Sequence, residues 1–320
     1  MIFQEKECQK MKRNVVPKLE RRKILCTACI FLTLIIRGAN GRLRFRERRK
    51  ETEHEMTTRV AGGNPILENR YPYLVPILTS RQGLFAGITR LFRRCGGTLI
   101  APDVVLSAAH CVDTENEFYV QFHLFNAITL FVRNTSFVKT TKVVQHLVHP
   151  EFNPRSLSND LVLFKLSEKN NNVKPVRLAK EFNLQEGDSM RTIGWGYTSG
   201  TGGRTPSLLV REANLNFITN ENCRSDAYDY GVSVKESMMC ASADSAGACE
   251  GDSGGPLFIP GTSSNSDVQY GVVSWGKICG VNIFPTVFAR ADYDWIMSSI
   301  CDPLNGLSPE SCVNGEVSIS

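Results

Sequence analysis

The 320-residue chain is 42% hydrophobic and 22% charged, with a formal net charge of +5. That balance is near the average for folded soluble proteins, which excludes wholesale disorder and a multi-span membrane protein. Much of the excess positive charge sits in two N-terminal clusters, residues 21–23 and 42–50, so no basic nucleic-acid-binding face is expected on the folded part.

In chain order, the basic cluster 21–23 precedes an apolar run over residues 24–36 and then small residues, Gly38, Ala39 and Gly41. This is the pattern of a secretory signal peptide covering residues 1–41, and it predicts export to the extracellular space. The apolar run is shorter than the ~20 residues of a comfortable transmembrane helix. The long stretch before it leaves two further readings open, a start at Met11 or a signal anchor. Residues 42–59, basic and without cysteine, read as a propeptide. Eleven cysteines are many for a reduced enzyme; eight follow residue 90, an even set suited to four disulfides in an oxidising compartment. Cys8, Cys26 and Cys29 belong to the leader, and the Cys26–Cys29 spacing has no partner pair with which to hold zinc.

From residue 60 the chain is a succession of short β-type runs broken by turn residues: 73–78, 98–100, 104–107, 118–125, 128–132, 142–148, 161–166, 190–193, 208–216, 268–275 and 286–289. The rhythm predicts an all-β sandwich or barrel. A polar connector at 167–175 divides it into two halves of similar size. Residues 81–94 read as a long basic loop insertion, either a solvated loop or an exosite. Segments 198–203 and 261–267 read as surface loops. Residues 293–300 are expected to form a terminal helix, and 301–320 a tail. Asn134 opens a glycosylation sequon usable on an exported protein.

Gly251-Asp252-Ser253-Gly254-Gly255-Pro256 carries the strongest chemical signal. Its glycines permit a tight turn that exposes a serine hydroxyl while the N–H groups of Gly251 and Ser253 point at one spot, an oxyanion hole. Ser107-Ala-Ala-His110-Cys111 and Asn159-Asp160-Leu-Val-Leu supply the imidazole and the carboxylate that a serine nucleophile requires. In motif and in His, Asp, Ser order, residues 60 to about 300 resemble the trypsin/chymotrypsin family of serine proteases. The resemblance implies two antiparallel six-stranded β-barrels with a C-terminal helix. It also implies a secreted serine endopeptidase with His110, Asp160 and Ser253 as its triad, needing neither metal nor organic cofactor. His123, His146 and His149 lack such motif context and receive no role.

Further implications come from the same resemblance. Thr58-Arg59-Val60-Ala61-Gly62-Gly63 is similar to the family's activation junction: a cut after Arg59 by a trypsin-like protease would free the Val60 ammonium to pair with Asp252. Disulfides are implied between Cys95 and Cys111, Cys223 and Cys240, and Cys249 and Cys279. Cys301 and Cys312 are left to pair with each other, outside the common family set. The substrate pocket would have Gly247 at its floor, Gly276 and Thr286 at its walls, and Ser274 and Gly276 offering backbone groups to an extended substrate. Without a carboxylate at the floor, Lys and Arg are disfavoured, since an unpaired cation is costly to desolvate; Leu, Met or Ala is expected before the scissile bond, with Phe and Tyr also admitted. Glu250 would disfavour acidic substrate residues. The implied partners are protein or peptide substrates, the activating protease and serpin-type or other inhibitors of a monomer.

Overall fold

A computed structural model of the intact chain describes residues 63–66, 69–82, 89–113, 116–122, 138–197, 207–228, 230–244, 246–277, 284–304 and 306–318. In chain order its strands are β1 (Asn64–Pro65), β2 (Leu74–Gln82), β3 (Thr89–Ala101), β4 (Val104–Ser107), β5 (Phe118–Phe122), β6 (Lys139–Val148), β7 (Val162–Leu166) and β8 (Arg177–Leu178). They continue with β9 (Ser189–Gly194), β10 (Arg211–Ile218), β11 (Met238–Ser242), β12 (Pro256–Ile259), β13 (Val268–Trp275), β14 (Thr286–Arg290), β15 (Cys312–Val313) and β16 (Glu316–Val317). Two helices are used below, α1 (Asn220–Cys223) and α2 (Tyr293–Cys301).

Strands β2 to β7 close a first antiparallel barrel in the order β2-β3-β4-β7-β6-β5. The second closes through β9-β10-β11-β14-β13-β12, with β12 returning to β9 and with β1 and β8 added at its margins. The fold is thus the expected pair of six-stranded barrels with a terminal helix. Bulges at Ile77/Leu78, Leu99/Ala101 and Val143/Gln145 in the first barrel, and at Leu257/Phe258 and Val273/Trp275 in the second, bend the strands; an extra residue on one strand of a ladder sharpens its twist. Buried Val, Ile and Leu from β2, β3, β4 and β7 fill the first barrel, and Ile296 and Ile300, one turn apart on α2, pack into the same core. Asp292 caps α2 by accepting from the Trp295 N–H, which satisfies a donor that the first helical turn leaves unpaired.

Buried polar links join segments far apart in sequence. Arg70 donates two hydrogen bonds to Asp267, whose second donor partner is the Tyr73 hydroxyl, and Thr98 donates to Gln269. Behind α2 the chain doubles back through the Cys301–Cys312 disulfide. Ser308 then donates to Asp103 at 2.7 Å, and Lys165 donates to the same carboxylate at 2.6 Å.

Several expectations are corrected. Residues 81–94 are no plain loop: β2 and β3 continue into it, with Arg81 opposite Arg90 and Gln82 opposite Thr89. Thr89 and Phe92 are strand-favouring residues, and pairing with β2 holds this stretch extended. β11 and β12 went unpredicted, because Met-Met-Cys-Ala-Ser lacks β-branched residues and β12 opens on proline. The tail carries a two-stranded hairpin, β15–β16, whose turn holds Asn314 and Gly315 at φ 52° and 78°, the Asn-Gly signature of a tight hairpin. The expected strand at 128–132 lies outside the described residues.

Candidate active site

His110 sits in a single 3₁₀ turn, Ala109–Cys111, at the end of β4. The Cys95–Cys111 disulfide fastens that turn to β3. Asp160 lies just before β7, the strand that pairs with β4 along its whole length, Val104 to Lys165 and Ser107 to Val162. Ladder pairing therefore brings the two residues together although 50 positions separate them. One Asp160 oxygen accepts from the His110 backbone N–H at 2.8 Å, and the other faces Nδ1 at 2.7 Å. Asp160 is fully buried. A carboxylate can only accept, so Nδ1 carries the proton and Nε2 keeps its lone pair.

A third donor completes the arrangement: the Ser274 hydroxyl donates to the same Asp160 oxygen at 2.5 Å. The bulge in β13 between Val273 and Trp275 falls at this residue, and bulges re-aim the side chains they carry. Sequence reasoning placed Ser274 only as a substrate-facing backbone group; its hydroxyl role has no local signal, since it depends on β13 passing behind Asp160.

Ser253 occupies a turn with Gly251 at φ 95° and Gly254 at φ 81°, backbone that side chains other than hydrogen rarely adopt. A Cβ on Gly254 would stand 2.3 Å from the Ser107 hydroxyl and 2.4 Å from the Gly96 carbonyl. The turn presses this close to the first barrel because the Gly96 N–H donates to the Ser253 carbonyl at 2.8 Å, and Ser107 donates to the Gly96 carbonyl at 2.7 Å. Gly96 follows Cys95, and Ser107 is three residues before His110, so the serine turn hangs from the same backbone as the imidazole. Cys95, His110 and Cys111 form the one His/Cys/acid cluster of metal-ligand spacing among the described residues, but its two sulfurs are joined to each other.

Asp252 points away from Ser253 into the interior. It accepts from the N–H groups of Gly196 at 2.6 Å and Cys249 at 2.9 Å. Burial pushes its carboxyl up to about 6, while the two N–H donors and the Arg93 charge act in the opposite direction.

At the predicted pocket, a Cβ added to Gly276 would lie 3.9 Å from both the Pro285 carbonyl and the Thr286 Cα. The structure therefore brings Gly276 and Thr286 together, at ordinary contact distance. Pro285 is held by the Tyr230 hydroxyl at 2.6 Å, and the Tyr230 ring meets Trp275 edge-on at 5.2 Å. Thr286 is 9% exposed and pairs with Ala241, which packs with Ala248, next to the buried Gly247. Glu250 is exposed.

Disulfides join Cys95 to Cys111, Cys223 to Cys240 and Cys301 to Cys312. Cys249 is also disulfide-bonded, while its predicted partner Cys279 lies outside the described residues, as do Arg59, Val60, His123 and Asn134. His146 is exposed on β6. His149 is buried, accepts from the Glu151 N–H, and faces Asp292 at 3.4 Å and Trp295, a structural histidine joining the first barrel to α2.

Residues 60–296 match the family model described as Trypsin. The chain belongs to the trypsin family. Among curated proteins, this trypsin-family member is 30% identical over 250 residues to Trypsin beta of Drosophila erecta, covering 77% of this chain and 90% of that one. It is 30% identical over 256 residues to alkaline Trypsin B of Manduca sexta, covering 75% and 91%. Trypsin alpha of Drosophila melanogaster is 28% identical over 250 residues, with 77% and 89% covered. The chain is accordingly a serine-type endopeptidase, a hydrolase of peptide bonds.

Proposed function

We propose that this trypsin-family enzyme is a secreted endopeptidase, made as a precursor with its leader at 1–41 and propeptide at 42–59. It is switched on by a cut after Arg59 and cleaves after apolar residues of medium size through Ser253, His110 and Asp160. The observation that carries the reading is the polar chain Ser274–Asp160–His110 beside a serine turn bonded to Gly96. His110 Nε2 removes the Ser253 proton as the hydroxyl attacks the scissile carbonyl, then returns it to the leaving amine. Asp160, bonded at three donors, keeps the ring in its Nδ1–H tautomer and stabilises the imidazolium. The Gly251 and Ser253 N–H groups receive the developing oxyanion, where loss of one donor costs about 3 to 4 kcal/mol of barrier. All of these groups belong to the chain itself, and the reaction draws on no metal or organic cofactor.

The new Val60 ammonium is the cation that buried Asp252 requires. Gly247 offers no carboxylate to a Lys or Arg side chain. Thr286 narrows the pocket opposite Gly276, which favours Leu, Met or Ala. Export is supported by the leader pattern and by three disulfides; no described helix is long and apolar enough to cross a membrane. Protein substrates, a trypsin-like activator and serpin-type inhibitors are the partners this reading implies. The test is cleavage of a peptide library by the protein cut after Arg59, beside Ser253→Ala. Cleavage after Leu, Met or Ala that disappears in the variant is expected; cleavage after Lys or Arg overturns the pocket assignment.

A further inference from the structure

A cavity of about 530 Å³ lies where the connector between the barrels meets α2 and the tail, and none of the catalytic residues lines it. The connector is pinned to both barrels there: Val176 N–H donates to the Leu99 carbonyl of the first, and Ala179 N–H to the Gln269 carbonyl of the second. Sites for small organic molecules have volumes of about 300–1,000 Å³ and favour such seams between units.

Ile100, Val176, Leu178, Val268, Met297 and Val317 give the cavity its apolar surface, the first two of them buried. Met297 and Val317 lie beyond residue 296, where the Trypsin match ends, so part of the wall comes from a segment outside the family model. The Cys301–Cys312 disulfide and the turn at Asn314 and Gly315 return β16 alongside α2 and complete that wall.

The charges on the lining do not all answer one another. Lys180 is ion-paired with Glu316 and stands 5.9 Å from the Tyr293 ring centre. Glu181 accepts from the Asn183 amide at 2.8 Å. Arg177 is exposed and makes no hydrogen bond or ion pair among the described residues, and the Tyr270 hydroxyl on the same lining makes no hydrogen bond among them. An apolar chamber with an uncommitted guanidinium and a hydroxyl donor complements a molecule with an apolar body and one anionic head. A guanidinium suits a carboxylate in particular, because its planar fork can donate two parallel hydrogen bonds.

We propose that this cavity is a binding site for an amphipathic carboxylate of the fatty-acid type, with the aliphatic chain against Val176, Val268, Met297 and Val317 and the carboxylate on Arg177. The site is independent of the peptidase chemistry and of the reading of its substrate pocket.

The test is calorimetric titration of the full chain with decanoate below its micelle concentration, with 1-decanol as the uncharged comparison. Saturable binding at one site is expected, tighter for decanoate than for decanol. Arg177→Gln should weaken decanoate about tenfold, the low end of what a hydrogen bond to a charged group is worth, and leave decanol unchanged. Val317→Trp, which fills the cavity, should abolish binding of both while peptide cleavage by the cut enzyme is unaltered. Absence of saturable decanoate binding, or decanoate affinity unchanged in Arg177→Gln, overturns the proposal. Loss of decanoate binding after fluorophosphonate labelling of Ser253 also overturns it, since the ligand would then occupy the catalytic cleft.

Discussion

Replacing Thr286 by glycine tests the substrate pocket at one wall. Thr286 is almost buried, its Cα is 3.9 Å from the point a Cβ on Gly276 would occupy, and its strand is fixed by pairing with β11. The substitution removes a Cβ, a hydroxyl and a methyl from the pocket interior without touching His110, Asp160 or Ser253. Two carbon centres at about 0.8 kcal/mol each give about 1.5 kcal/mol of added room for a larger side chain, or roughly tenfold. The kcat/KM ratio of Phe to Leu substrates sharing one leaving group should rise by about that factor, within the range a single methylene commands. Ala substrates should lose ground, because the enlarged pocket leaves them poorly packed. Glycine in a strand costs about 0.5–1 kcal/mol, so the thermal midpoint should fall by about 2–4 °C. A folded variant with an unchanged Phe:Leu:Ala ratio would show that Thr286 does not face the substrate, and the apolar-medium preference would lose its structural basis.

Other expectations are as direct. Ser274→Ala removes one donor from a fully buried carboxylate, a hydrogen bond to a charge worth about 1.5–3 kcal/mol; kcat should fall about 10- to 100-fold with KM little changed, as stopped-time assays would show. Gly247→Asp should bring Lys and Arg cleavage, and a variant that folds but still prefers Leu would refute the floor assignment. For pH, Asp252 is raised from 3.8 to about 6 by burial, so its contribution to stability is fully present below 3.8 and lost as pH rises through about 6, a cost of about 3 kcal/mol at neutrality. The cut enzyme, with Val60 paired to Asp252, should therefore gain more in thermal midpoint over the intact chain at pH 8 than at pH 5; equal gains would argue against the pair. Cys301→Ser with Cys312→Ser opens a loop closed across 11 residues, which should cost about 3 kcal/mol of stability while leaving kcat unchanged, since the tail reaches Asp103 and not the site.

Hydrophobic rhythm and turn residues were enough to read a two-unit β protein, and eight late cysteines enough to read its bracing, because both signals are local. β4, β13 and α2 lie where their apolar patterns put them. β11 and β12 escaped because their residues do not favour strands in isolation; both gain their conformation from neighbours on two sides, β10 and β14 for the one, β9 and β13 for the other. The strand residues 81–82 and 89–94 looked like a charged loop because their arginines obscure the pattern, while β2–β3 pairing decides the outcome. The tail's Asn314-Gly315 was readable as a hairpin turn and was passed over.

The amino-acid sequence by itself determined the chemistry available: a serine in a glycine turn, an imidazole beside a cysteine, and an acid before a β run. Those are properties of short stretches, in which backbone freedom and side-chain type are set by a few adjacent residues. Only the tertiary structure decided that Ser274 donates to Asp160, that Arg93 donates to the Trp195 carbonyl, and that Ser308 reaches Asp103. Each of those contacts joins residues more than 100 positions apart and exists only after two barrels have closed, because burial then removes water as a partner and obliges each polar group to find another within the fold.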